Sequence, residues 1–396
     1  IVGWGWYYLS TVMDDYSRYI LAWKLSASMA ATDVMDTLDM ARERSGIDQV
    51  RVLHKPRLLS DNGPCYLSRD LKAYLAEHGM ALNQLAEEAG VNLLFEAAVA
   101  GGVPIVRTLR DSLSGISVSR VSGILNGTCN FLTSEMLASK RSFETVLGEA
   151  QALGYAEADP TLDISGADAA HKIAILSAIA FSADLDFSKV HISGVESISL
   201  QDLVFADRLG LTLKLIAEGV LTGDSVVCRV EPKALAHAHP LARINGSLNT
   251  VRVEGDPLGA VTLTGPGAGA GPTASAVMGD VSKLFGPNMR SPFGRASHHK
   301  RRLFSAERDE EISRWLLRVE LADRSGSLAI LSNSLAKSQV SIDKLLQDSA
   351  NSEGYAPVAI VTHPCSRKDL LAASTHLAEQ DAIIGDPHYI RIESDT

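Results

Sequence analysis

Hydrophobic and polar positions divide the chain into three stretches of different texture. In the first, residues 6–13 are aromatic and β-branched, Asp14-Asp15-Tyr16-Ser17-Arg18 supplies turn residues, and residues 19–25 are apolar again, which predicts a β-hairpin. Val34, Leu38 and Ala41 recur at helical spacing and predict a helix over 32–44. Residues 52–60 read as a strand closed by Asp61-Asn62-Gly63-Pro64, and 68–78 as a helix stopped by Gly79. From about 80 to 285, helices and strands alternate. The pattern predicts a short buried strand over 91–95, a helix over 103–113, a strand over 117–125, and helices over 128–138, 142–153 and 165–181, the last very apolar. Ser165 stands three residues before Asp168, a capping-box arrangement with Asp in place of Glu. Strong turn signals fall at Gly101-Gly102 and along 265–271.

The last stretch reads as strand 315–321, helix 327–337, strand 341–347, strand 356–362, helix 367–379 and strand 389–393. That order, βαββαβ, predicts a ferredoxin-like sandwich of about 80 residues. Between the second and third stretches, residues 286–313 hold Pro287, Pro292, Gly294 and the run His298-His299-Lys300-Arg301-Arg302, read as a solvated, mobile connector.

Composition narrows the class. A chain of 396 residues at roughly 150 residues per domain suggests two or three domains. Its 46% hydrophobic and 21% charged residues are those of a globular protein able to bury several cores. Lys+Arg number 37 and Asp+Glu 47, and the net charge of −10 argues against coating nucleic acid, which needs a basic face. No membrane-spanning apolar run and no secretory leader are visible. Cys65, Cys129, Cys228 and Cys365 are far apart and match neither a zinc spacing nor a disulfide framework, so a reducing cytoplasm is expected. The chain begins at Ile1 inside what reads as a strand, and is expected to be a fragment at that end.

Candidate chemistry lies in two acid-rich regions. Asp14, Asp15 and Asp61 sit near strand ends, where paired carboxylates can hold Mg²⁺ for phosphoryl transfer; the local pattern favours turn and capping roles instead. In the second region, Glu157, Asp159, Asp163 and Asp168 crowd into a turn and the first turn of a helix. Asp168 and Lys172 share a helical face that continues through Ile175, Leu176 and Ile179. A lysine there suits proton transfer, and equally a structural ion pair at the rim of a core; the residues alone leave both open. The glycine run 265–271 is not read as a dinucleotide loop, because no βαβ unit follows it and no acid stands about 20 residues on at a strand end. It is read as a turn into a helix from Ala274.

Two resemblances sharpen this. Residues 6–23 and Leu59-Ser60-Asp61-Asn62-Gly63-Pro64 resemble the integrase core of insertion-sequence transposases, an RNase H-like fold, over about 78 residues. The resemblance implies three metal-binding carboxylates, of which only Asp61 has a counterpart here, so DNA joining is not expected.

Four motifs in order resemble homoserine dehydrogenases: residues 92–106, Gly123-Ile124-Leu125-Asn126-Gly127-Thr128-Cys129-Asn130, residues 154–172, and Gly265 to Thr273. This resemblance implies reversible reduction of aspartate semialdehyde to homoserine with NAD(P)H, in threonine and methionine biosynthesis. Carried over by position, Lys172 is the expected proton donor. Asp168, Glu157 and Asp163 belong to the substrate pocket, and Gly154 and Gly269 touch the cofactor. Glu96, Val99, Gly101 and Val103 form a loop for sodium or a similar monovalent cation. The family's Rossmann domain has no counterpart, the integrase-like stretch standing in its place, so impaired activity is expected. Lys72 has the spacing of the family's second lysine, although either parent could supply it.

Residues 317–328 with Val340-Ser341-Ile342 resemble an ACT domain, which implies a regulatory amino acid, threonine first, or a purely structural module. The expected architecture is α/β and α+β multidomain: a truncated RNase H-like fragment (1–78), an α/β catalytic domain (79–285), a linker (286–313) and a ferredoxin-like ACT domain (314–396). A homo-oligomer is expected, with neither nucleic acid nor membrane as partner. The competing reading is a non-catalytic amino-acid-binding remnant.

Overall fold

The structure, a computed structural model, describes residues 8–13, 20–26, 31–45, 93–156, 159–185, 187–283, 294, 301–302 and 311–393. At the N-terminal end, β1 (Tyr8–Met13) and β2 (Ile20–Ser26) pair antiparallel from Tyr8↔Ser26 to Met13↔Ile20, and α1 (Ala31–Ser45) follows. Leu38 and Ala41 are buried, as their helical spacing predicts. The Lys24 ammonium reaches Asp33 at 3.0 Å and Asp36 at 2.7 Å. The strand expected over 52–60, the helix over 68–78, Asp61 and Lys72 lie outside the described residues.

The middle of the chain is an antiparallel sheet under helices. Its strands are β3 (Ser117–Ile124), β4 (Leu211–Thr222), β5 (Ser225–Ala236), β6 (Leu248–Asp256) and β7 (Gly259–Pro266), in the order β5-β4-β3-β6-β7. The helices are α2 (Gly127–Ser139), α3 (Phe143–Ala152), α4 (Thr161–Ile164), α5 (Ala167–Ala180), α6 (Leu200–Arg208) and α7 (Ala270–Lys283). α5 packs on β3, β4 and β5 and buries Ala169, Ala170, Ile173, Leu176 and Ile179, which is why its sequence is apolar on most sides.

Several local expectations change. Leu93, Leu94 and Phe95 form no strand. The helix expected over 103–113 is a short α-turn, Ile105–Arg107, running into a π-turn, Thr108–Ser112. α5 starts after Gly166, whose φ of 83° takes the left-handed region, and it has no side-chain cap. The capping box expected from Ser165 and Asp168 does not form, because the Asp168 carboxylate is drawn to Lys172 and Asn126. A capping box forms instead on α6, between Ser199 and Asp202. α7 begins at Ala270 rather than 274, with Pro272 in the first turn, where a missing N–H costs no helical bond.

The last stretch has the element order β8 (Ile312–Ala322), α8 (Ser327–Lys337), β9 (Ile342–Gln347), β10 (Tyr355–Thr362), α9 (Arg367–Ala378) and β11 (Ile383–Ile392). Its strands lie antiparallel in the order β9-β10-β8-β11. Leu317, Val319, Leu331, Leu335, Ile360 and Leu370 form its core. β8 reaches back to Ile312, and Arg301–Arg302 pairs in parallel with Ala183–Asp184, so parts of the expected linker are ordered by pairing.

The two sheets are joined. β11 pairs in parallel with β5, Arg391 opposite Lys233 and Ile392 opposite Ala234, giving one 11-stranded sheet among the described residues. The short strand His191–Ile192 shares the same edge of β5, beside Arg229 and Val230.

A buried ionic cluster lies at this joint. Lys233, with 0% exposure, holds Glu218 at 2.6 Å and Glu393 at 2.8 Å. Arg120 bridges the same two carboxylates, Arg229 holds Glu218 and Glu311, and Arg391 holds Glu311. Burial alone would raise the Glu218 carboxyl, but Lys233, Arg229 and Arg120 outweigh it and hold it well below the usual carboxylate range.

A second buried cation has no such company. Lys214 on β4 is 1% exposed, and its ammonium donates to Asn130 Oδ1 at 2.8 Å, Ser134 Oγ at 3.0 Å and Asn245 Oδ1 at 3.0 Å. Among the described residues it makes no ion pair, and burial lowers its pKa to about 8. No helix among the described residues is long and apolar enough to cross a membrane.

Candidate active site

The acid cluster converges on the start of α2. Asn126 caps this helix, its side-chain oxygen accepting from the Cys129 amide at 2.9 Å. The Asn126 amide nitrogen then donates to Asp163 Oδ1 at 2.8 Å and Asp168 Oδ2 at 3.0 Å. One residue therefore gathers carboxylates from α4 and α5. The Lys172 ammonium donates to Asp168 Oδ2 at 2.7 Å and to the Leu125 carbonyl at 3.1 Å. Lys172 and Asp168 are one turn apart on α5, so the helix sets their separation.

Asp163 is the more enclosed acid. Its Oδ2 lies 2.9 Å from Thr128 Oγ1, which also lies 2.7 Å from the Tyr155 carbonyl. One hydroxyl proton thus faces two acceptors, and Thr128 shares it between the Asp163 carboxylate and the Tyr155 carbonyl. Burial raises the Asp163 pKa, the nearby Asp168 charge adds to it, and the bond from Asn126 acts against it. The neighbouring Cys129 thiol is fully enclosed and pushed well up by burial, then by Asp163 and Asp168, so it is not a nucleophile. Glu157 lies outside the described residues. Asn126, Thr128 and the Leu125 carbonyl had no role assigned from sequence, although they lie in the 123–130 motif. An Asn before an apolar helix is an N-cap signal that could have found the first.

Gly154 follows α3 with φ 76°, and its N–H closes on the Gln151 carbonyl at 3.1 Å; it ends the helix in the left-handed conformation. The next residue, Tyr155, meets Thr128, so this turn adjoins the acid cluster. Gly269 precedes α7 with φ 109°.

The loop expected to take a cation lies elsewhere, against the glycine run. The Gly102 N–H bonds the Pro266 carbonyl at 2.9 Å, and a Cβ at Gly101 would stand 3.0 Å from the Gly267 carbonyl. The Glu96 carboxylate is committed: it accepts from the Val106 amide at 3.0 Å, the Arg107 amide at 2.9 Å and Arg107 Nε at 2.9 Å. Three donors thus occupy most of the acceptor sites of the Glu96 carboxylate. Val99 and Val103 are buried, and the Val103 carbonyl accepts from the Ile105 amide at 2.7 Å. Among the described residues no three His, Cys, Asp or Glu side chains gather as a metal site.

Comparison with known proteins identifies the family. The model of the homoserine dehydrogenase family matches residues 104–282, and that of the integrase core domain matches residues 1–84. The homoserine dehydrogenase of Neisseria gonorrhoeae is 38% identical over 329 residues, covering 82% of this chain and 76% of the relative. That of Bacillus subtilis is 34% identical over 357 residues, covering 87% and 81%. Among solved structures, a homoserine dehydrogenase from Thiobacillus denitrificans superposes with a TM-score of 0.72 at 36% identity, covering 82% of this chain and 75% of the other. The mixed α/β fold is thus that of solved members. By homology over most of its length, this chain belongs to the homoserine dehydrogenases, NAD(P)-dependent oxidoreductases of amino-acid biosynthesis, and carries an integrase-core match at its N-terminal end.

Proposed function

We propose that Lys172 is the proton donor and acceptor in the interconversion of aspartate semialdehyde and homoserine. One observation carries this. An ammonium has three N–H donors, and two are occupied by Asp168 and the Leu125 carbonyl, which leaves one for a substrate oxygen. NAD(P) supplies the hydride when bound. Lys172 then gives its proton to the alkoxide oxygen formed from the aldehyde, and takes it back in the oxidative direction. Asp168 orients the ammonium, and Glu157 with Asp168 binds the substrate's α-ammonium. Asp163 holds the pocket's shape through Asn126 and Thr128. Gly154 and Gly269 lie against the nicotinamide end of the cofactor.

The residues 1–84 match an integrase core, and we expect homoserine oxidation by these 396 residues alone to be near background. The test is a fusion with an intact dinucleotide-binding module ahead of residue 72. The fusion turns over homoserine, and Lys172→Ala lowers turnover by at least ~100-fold. Retention within tenfold would remove Lys172 from the role. Robust turnover by the unfused chain would overturn the expected impairment.

Further roles follow the same reading. The carbonyls of Glu96, Val99, Gly101 and Val103 hold sodium or a similar monovalent cation, supported by the tight Gly101-Gly102 turn and the prior commitment of the Glu96 side chain. The βαββαβ module is an ACT domain, and the turn before α8 binds threonine. The protein self-associates and works in the cytoplasm. Its domains run 1–78, 79–285 and 314–396, with 286–313 as linker. Calorimetry with threonine and light scattering at micromolar concentration check the regulatory and oligomeric statements.

A further inference from the structure

The Lys214 ammonium directs all three of its N–H donors at neutral oxygens. Two of them, Asn130 Oδ1 and Ser134 Oγ, stand one turn apart on α2, and the third, Asn245 Oδ1, belongs to the loop that leads into β6. The first turn of α2 rests on that same loop. Asn130 Nδ2 donates to the Leu248 carbonyl at 3.2 Å, and a Cβ at Gly127 would stand 2.7 Å from the Ser247 carbonyl. Lys214 therefore clamps the helix to the backbone beneath it. An ammonium buried among neutral oxygens is costly, and Met would fill the same space. What Met lacks is the three donors.

From Asn130 the hydrogen bonds continue into the acid cluster. The Asn130 amide donates to the Asn126 carbonyl at 3.3 Å. Asn126 Nδ2 donates to Asp168 Oδ2 at 3.0 Å, which accepts from Lys172 at 2.7 Å. Asn126 serves two acids from two different helices at once, so a small slide or rotation of α2 breaks one of these bonds. The exact seat of the helix, and not only its presence, decides whether Asp163 and Asp168 are held together.

We propose that Lys214 is a positioning residue of the active site: it seats α2 against the sheet so that Asn126 reaches Asp163 and Asp168 together. It touches no substrate and acts through Asn130 and Asn126. The proposal rests on the reading of the acid cluster as the substrate pocket.

Cys129 supplies the probe. Its thiol is fully buried in the first turn of α2, 3.2 Å from the Asp163 carbonyl, so it reacts only when that turn opens. Cys228 on β5 and Cys365 in the C-terminal module are buried as well and report opening elsewhere. The full chain is treated with iodoacetamide, and each cysteine is followed by peptide mass spectrometry. Cys129 is expected to react about tenfold faster in Lys214→Met, with Cys228 and Cys365 unchanged. Asn130→Ala cuts the same link from its other end and should act alike; it serves where the lysine variant fails to fold. The double variant should react no faster than Asn130→Ala alone. Homoserine should slow Cys129 in the parent, and the concentration giving half of that effect should rise about tenfold in Lys214→Met. An unchanged Cys129 rate in folded Lys214→Met, equal acceleration of all three thiols, effects that multiply in the double variant, or an unchanged half-effect concentration would each overturn the proposal. No slowing by homoserine in the parent would remove the pocket reading instead, and the three thiols would still decide whether Lys214 holds α2.

Discussion

Replacing Lys214 by Met should change how stability depends on pH. The side chain is buried among neutral oxygens, and its pKa falls from the ordinary 10.5 to about 8. At ~1.36 kcal/mol per tenfold change in proton affinity, that is a penalty of roughly 3 kcal/mol for the charged form in the folded state. Below pH 8 the lysine is protonated in both states and the penalty is fully present. Between about 8 and 10.5 the unfolded chain binds more protons, so folding stability rises with pH. Above 10.5 both states are neutral and the penalty is gone. Lys214→Met lacks this titration. It also leaves the buried Asn130 Oδ1 without its donor, at a cost of ~1–3 kcal/mol, so the two proteins should be of similar stability near pH 7.5. The parent should then gain roughly 3 kcal/mol on the variant by pH 10.5. Urea unfolding of both at several pH values reads this directly, and the difference between them cancels other titrating groups. A difference that stays flat from pH 7.5 to 10.5 would refute the reasoning.

Glu218→Gln removes the acid shared by Lys233, Arg229 and Arg120 and should cost ~3–5 kcal/mol, read as a lower urea midpoint. Because that carboxyl is held low, its contribution is present above the normal carboxylate range and is lost as pH falls, and the parent should lose more stability on acidification than the variant. Asn126→Ala breaks the cap of α2 and both carboxylate bonds, and should lower stability by ~1–2 kcal/mol and raise the KM for homoserine in the fusion. Glu96→Gln takes from the Arg107 guanidinium the nearer of its two carboxylates, leaving Asp280 at 3.7 Å, and should destabilise by ~1–3 kcal/mol, read by thermal unfolding.

Periodicity made the local elements legible where burial is one-sided. The helices α8 and α9 fall within a residue of expectation, because each repeats toward a single core; the hairpin of β1 and β2 and the helix α1 fall within a residue or two as well. The long strands β4 to β7 were not individually foreseen. β4 and β5 are buried on both faces, so they show no alternation, and only the Gly223-Asp224 turn between them marks the hairpin. At the site, Lys172 and Asp168 could be paired from helical spacing, whereas Asn126 joins them across 42 positions, a distance that no local pattern spans. The failed capping box has the same origin: Asp168 obeys a tertiary bond rather than the helix start.

The parallel pairing of β11 with β5 makes the C-terminal module a poor candidate for removal. Cutting the chain after the middle sheet would strip away Glu311, Arg391 and Glu393 together, leaving Arg120, Arg229 and Lys233 with only Glu218 and Glu231 and so one positive charge in excess on a face built to be dry. It would also open the β5 backbone as a raw edge. The two halves are therefore welded thermodynamically: they should melt in one cooperative transition, and any ligand that tightens one half raises the unfolding temperature of the other.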